Sequence, residues 1–60
     1  MNRKYEIQVK AVGGIDRIYY YDNYARAYKT YKDMTSHCLL EYCYLLDYKT
    51  SKIIHEYIGG

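Results

Sequence analysis

The stretch Gly13–Asp33, GGIDRIYYYDNYARAYKTYKD, decides the fold, because it holds a turn, a strand and the opening of a helix in direct succession. It also carries six tyrosines and neither Phe nor Trp. Upstream, Tyr5, Ile7, Val9 and Ala11 alternate with Glu6, Gln8 and Lys10, the period-two pattern of a half-buried strand. Gly13-Gly14 tolerates positive φ and separates two strand-like runs, which predicts a tight hairpin. With the two glycines at the turn centre, Val9 is expected opposite Ile18 and Ile7 opposite Tyr20. Tyr19 and Tyr21 then fall on the polar face with Arg17. Lys10 and Arg17 would oppose each other, a mild like-charge cost.

After this hairpin, Asp22 or Asn23 is placed to cap a helix. Tyr24, Ala27, Tyr28, Tyr31 and Met34 recur at helical spacing and form one apolar stripe. Arg26, Lys29, Thr30, Lys32 and Asp33 fill the outer surface. From Cys38 the chain reads CLLEYCYLLDY, with Cys38, Leu40, Tyr42, Tyr44 and Leu46 on one parity. Leu39, Glu41, Cys43, Leu45 and Asp47 take the other. A strand apolar on both faces belongs at the centre of a sheet or under cover on both sides. DYKTS supplies turn residues, and KIIHEYI makes a last strand with Ile53, His55 and Tyr57 on one side. Gly59-Gly60 reads as a frayed end.

The expected architecture is α+β, a ββαββ single domain over residues 1–60 with one amphipathic helix packed on one sheet face. Strands are expected at about 4–12, 15–21, 38–47 and 52–58, and the helix at about 23–35. One helix covers one face only. The third strand's second apolar face therefore calls for another cover, and a homodimer is the simplest.

Composition narrows the chemistry further. Sixty residues, with 9 basic and 7 acidic side chains, give a net charge of +2. That is neither a basic nucleic-acid arm nor an acidic mimic of DNA. MNRKYEIQVK has charges where an apolar leader core would sit, and no apolar run is long enough to span a bilayer. The expected compartment is the reducing cytoplasm, with both thiols reduced. No phosphate-binding glycine loop is present, since no Lys-Ser or Lys-Thr follows Gly13-Gly14 at the required spacing. His37 and Cys38, adjacent on an extended chain, point apart and cannot pair as base and nucleophile. Cys38 and Cys43 likewise point to opposite faces. His37, Cys38, Cys43 and His55 are ligand types but match no zinc spacing. The expectation is no enzyme, no metal and no cofactor. His55 is read as structural, beside Tyr44 or Cys43 across the last hairpin.

What remains is contact. Tyrosine joins a large ring to a phenol that prefers a partner, and it is enriched in binding surfaces. The expected contact residues are Arg17, Tyr19, Tyr21, Tyr42, Tyr44, His55 and Tyr57. Arg17, Tyr19, Tyr21 and Lys10 on one face would also suit a nucleic-acid stacking platform, the alternative reading. An uncharacterised bacterial housekeeping domain is the third.

In size, in its Tyr-, Lys- and Ile-rich composition, and in its strand-strand-helix-strand-strand order, the chain resembles small host-takeover and counter-defence proteins of Gram-positive bacteriophages and mobile elements. These include anti-CRISPR proteins, the anti-Hachiman protein and compact dimeric inhibitors of uracil-DNA glycosylase. GGIDRIYYYDNYARAYKTY is similar to the hairpin-into-helix layout of such proteins. The resemblance implies a phage-encoded inhibitor that blocks a bacterial host or defence protein by occupying its surface. It implies no specific functional residue.

Overall fold

Alternation, turn chemistry and helical periodicity each produce the element they announce. A computed structural model describes residues 3–37 and 39–59. It contains β1 (Tyr5–Ala11), β2 (Asp16–Tyr21), α1 (Tyr24–His37), β3 (Leu40–Asp47) and β4 (Ile53–Ile58). The four strands form one antiparallel sheet in the order β2-β1-β3-β4, and α1 packs on one face. The α+β expectation holds. β3 lies inside the sheet, as its two apolar faces require. Cys38, expected to open the third strand, is outside the described residues.

Asn23, not Asp22, caps α1. Its Oδ1 accepts a hydrogen bond from the Arg26 amide at 3.2 Å, and its carbonyl takes the Ala27 amide at 3.1 Å. The helix runs two residues past the expected end, through Ser36 and His37. The predicted stripe faces the sheet. Ala27 and Tyr31 are buried, and Tyr28 and Met34 pack against the same core. From below, Ile7, Val9, Leu40, Cys43 and Leu45 complete it.

The β1–β2 register differs from expectation and changes which residues share a face. Gly14 donates its amide to the Ala11 carbonyl at 2.9 Å, so Val12 and Gly13 occupy the turn centre. Gly13 has φ 77°, the left-handed value that a type II turn needs at this position. Beyond the turn, Lys10 pairs with Asp16, Val9 with Arg17, Ile7 with Tyr19 and Tyr5 with Tyr21. The expected pairs Val9 with Ile18 and Ile7 with Tyr20 are wrong by one residue. A connection with one more unpaired residue moves every β2 side chain to the other face. Lys10 then stands opposite Asp16 and no longer opposite Arg17, while its ammonium pairs with Glu41.

Two irregularities re-sort further residues. A shift between Lys10 and Ala11 sets Ala11 opposite Leu40, so Leu40 leaves the Tyr42 parity and enters the helix-side core. Another, between Leu45 and Leu46, sets Leu46 opposite Ile53. Ile53 thus joins the helix-free face, opposite to its expected side. Gly59 is held and not frayed. Its amide donates to the Glu41 carbonyl at 2.9 Å, and a Cβ there would collide with the Leu40 carbonyl.

The β3–β4 turn is built on Asp47. Its carboxylate accepts from the amides of Lys49 at 2.9 Å and Thr50 at 3.2 Å, while its carbonyl accepts from Ser51 at 2.8 Å. Ser51 closes the turn at φ 59°, a conformation unfavourable to a residue with a Cβ. Ser51→Gly is expected to raise stability by about 0.5–1 kcal/mol, the relieved strain less the added chain entropy of glycine. Urea unfolding midpoints at constant slope measure it.

Candidate interaction surfaces

The sheet's two faces now have definite memberships. Tyr5, Ile7, Val9, Arg17, Tyr19, Tyr21, Cys43, Leu45, His55 and Tyr57 share the helix side through the strand register. Glu6, Gln8, Lys10, Asp16, Ile18, Tyr20, Tyr42, Tyr44, Leu46, Ile53, Glu56 and Ile58 share the other side. The expected contact residues are therefore split between two surfaces. Arg17, Tyr19 and Tyr21 do not lie on the polar face, and Lys10 is on the opposite side of the sheet from them. The one-residue register shift is the cause.

On the helix side, His55 pairs with Leu45, not with Tyr44 or Cys43, and enters a ring cluster. Its Nε2 hydrogen-bonds the Tyr24 hydroxyl at 2.9 Å. The ring centroids of Tyr28 and Tyr31 lie 5.1 and 5.6 Å from its own. Tyr24 stacks on Tyr28 at 5.7 Å and meets Tyr5 edge-on at 5.5 Å. These separations suit offset and edge-to-face aromatic packing. Tyr21 and Tyr57 also pack against the core. The structural reading of His55 fits this cluster.

Arg17 and Tyr19 have different surroundings. α1 crosses the inner strands and leaves the outer strand β2 largely bare. Between β2 and the C-terminal half of the helix lies an open cavity of about 290 Å³. Val9, Ala11, Ile15, Met34 and Leu40 form its apolar lining, and Arg17 and Tyr19 its polar wall. Among the described residues neither the guanidinium nor the Tyr19 hydroxyl has a hydrogen-bond or ion-pair partner. Beside the cavity, Val12, Ile15 and Leu39 are 61, 70 and 83% exposed. The Val12 amide donates to the Leu39 carbonyl at 3.0 Å, so the two loops carrying these side chains form one tip.

The helix-free face is ordered differently. Tyr42 and Tyr44 stack at 5.2 Å, and Tyr20 meets Tyr48 edge-on at 5.6 Å. The Arg3 guanidinium sits 4.4 Å above the Tyr20 ring. Polar groups lie along the sheet and satisfy one another. Gln8 donates to Glu6 at 2.6 Å, the Tyr42 hydroxyl donates to Asp16 at 2.8 Å, and Lys10 pairs with Glu41. Around them Ile18 and Ile58 are 51 and 60% exposed, with Ile53 and Ile54 nearby. Ile18 and Tyr20 are expected opposite Val9 and Ile7, and Ile53 beside His55, so the sequence does not place them on this face. Each is an apolar residue whose face is set by a turn length or a bulge.

Among the described residues no three His, Cys, Asp or Glu side chains gather as a metal set, and no helix is long and apolar enough to cross a membrane. Cys43 is fully buried under the helix. Compared with protein-family models, curated proteins and solved structures, the chain finds no significant match.

Two phenols report on these surfaces. Burial raises Tyr31 above its ordinary 10.0, with nearby Cys43, Tyr28 and Glu56 adding to the shift. Tyr42 is raised first by its hydrogen bond to Asp16. In both, the folded state favours the neutral phenol. Their contribution to stability is therefore complete below pH 10 and lost as pH rises through the folded values. Site-resolved NMR of the tyrosine rings should show both titrating above pH 10. Asp16→Asn should return Tyr42 toward its ordinary value and leave Tyr31 in place.

Proposed function

We propose that this chain is a non-enzymatic binding protein that acts by occupying a surface of a larger protein. The cavity beside β2 is the contact site. The observation that supports it most is the unpartnered pair Arg17 and Tyr19 on the wall of an otherwise apolar groove. An apolar groove accepts a partner's aliphatic or aromatic side chain, and a guanidinium beside it fixes that side chain's anionic neighbour. Val12, Ile15 and Leu39 extend the apolar area around the groove at the same end of the molecule. Rings and aliphatic groups then form the centre of the contact, with Arg17 setting orientation on its margin.

In this reading the protein works as the phage host-takeover and counter-defence proteins do, by blocking a bacterial host or defence protein in the cytoplasm. The nucleic-acid alternative places Lys10 with Arg17, Tyr19 and Tyr21 on one face. Lys10 instead pairs with Glu41 on the far side of the sheet.

The groove is tested by retention of bacterial proteins on the immobilised chain. Arg17→Ala and Ile15→Asp should each lower specific retention by about tenfold or more, the scale of a central interface residue. Circular dichroism should match the unsubstituted protein. Undiminished retention by both variants contradicts the assignment.

A further inference from the structure

We infer that the helix-free sheet face binds a second copy of this chain, sheet on sheet, about a two-fold axis that crosses the strands at Gln8. This concerns the face opposite the groove and stands independently of the groove's role.

The argument rests on the pattern of the face. Its middle row reads Ile18, Gln8, Tyr44, Glu56 across the four strands. The row toward the Val12–Gly13 turn reads Asp16, Lys10, Tyr42, Ile58, and the row on the other side reads Tyr20, Glu6, Leu46, Ile53. A two-fold along the middle row exchanges the outer two. Glu6 of each copy then lies over Lys10 of the other, Tyr20 over Asp16, Leu46 over Tyr42 and Ile53 over Ile58. Ile18 and Tyr44 meet their own counterparts. One operation sets Glu6 against Lys10 twice and brings Leu46, Tyr42, Ile53, Ile58, Ile18 and Tyr44 together as apolar contacts. Self-complementarity of this kind is what an isologous interface requires.

The polar groups permit burial. Gln8 and Glu6, Tyr42 and Asp16, and Lys10 and Glu41 are each paired once within the sheet, so covering the face leaves none of these side chains wholly without a partner. The ammonium of Lys10 keeps further donors for a second carboxylate, and Glu6 keeps a second oxygen. The largest extents of the molecule, 31 and 18 Å, bound the face at about 560 Å² in projection, below the roughly 600 Å² per partner of stable interfaces and in the range of weak, reversible association. Antiparallel alignment of the two sets of strands is compatible with ordinary sheet-on-sheet packing. Two positions do not match: Glu56 faces its own copy, and the Tyr20 ring lies over the Asp16 carboxylate.

Charge reversal tests both the partner and the axis. Sedimentation equilibrium of the unsubstituted chain should show a reversible dimer. Glu6→Lys places two lysines opposite each other, and Lys10→Glu places two glutamates. Each variant alone should associate about tenfold or more weakly, because facing like charges oppose docking. Mixed in equal amounts, the two should form a heterodimer of near-original affinity, since every facing pair is again opposite in sign. Only folded chains can recover in this way, so recovery separates charge from damage. Glu56→Gln should tighten the dimer. A chain that stays monomeric at millimolar concentration overturns the inference. So does full dimerisation by both single variants, which would point to another contact such as strand-edge pairing, or a mixture that recovers nothing.

Discussion

Gly13 holds φ 77° at the third position of the Ala11–Gly14 turn, and the connection it closes leaves Lys10 opposite Asp16. A strand alternates its side chains, so this local choice fixes the destination of all of β2. It sends Arg17 and Tyr19 to the helix side and Ile18 and Tyr20 to the other. Both surfaces of the molecule follow from that assignment. Had the two glycines formed the turn centre, Ile18 and Tyr20 would have lined the groove, and Arg17 would have stood on the open face beside Lys10.

The second constraint is area. One short helix cannot cover four strands, and α1 sits over the inner ones, where Ile7, Val9, Cys43 and Leu45 need it most. This leaves β2 bare beside the groove and the far face uncovered. A chain of 60 residues buries a smaller share of its surface than a larger domain. Tyrosine suits the half-covered positions that result, because its ring packs while its hydroxyl finds a partner. Tyr24 bonding His55 and Tyr42 bonding Asp16 are two such cases. The absence of Phe and Trp thus has a physical reading in a fold with little deep interior.

Much of this was legible in the residues. Alternation in Tyr5–Ala11, the stripe from Tyr24 to Met34, and the doubly apolar Leu40–Asp47 each lead to the observed element and its place. The site was legible only in composition. Arg17, Tyr19, Tyr42 and Tyr44 stand out as candidate contact residues, but their division between two faces was hidden. That division depends on a turn one residue longer than expected and on bulges beside Lys10 and Leu45. Turn length and bulges are settled by tertiary fit, here the burial of Leu40, and this leaves no periodic trace. His55, Tyr21 and Tyr57 pack on the helix side, a placement that strand parity alone does not reveal.

The measurement that bears most directly on this account is the backbone NOE pattern between the first two strands of the protein in solution. The account predicts cross-strand contacts linking Ile7 with Tyr19, Gln8 with Ile18 and Val9 with Arg17. Contacts linking Ile7 with Tyr20 and Val9 with Ile18 would contradict it, because they would exchange the two faces of β2 and dissolve both the groove and the self-complementary sheet.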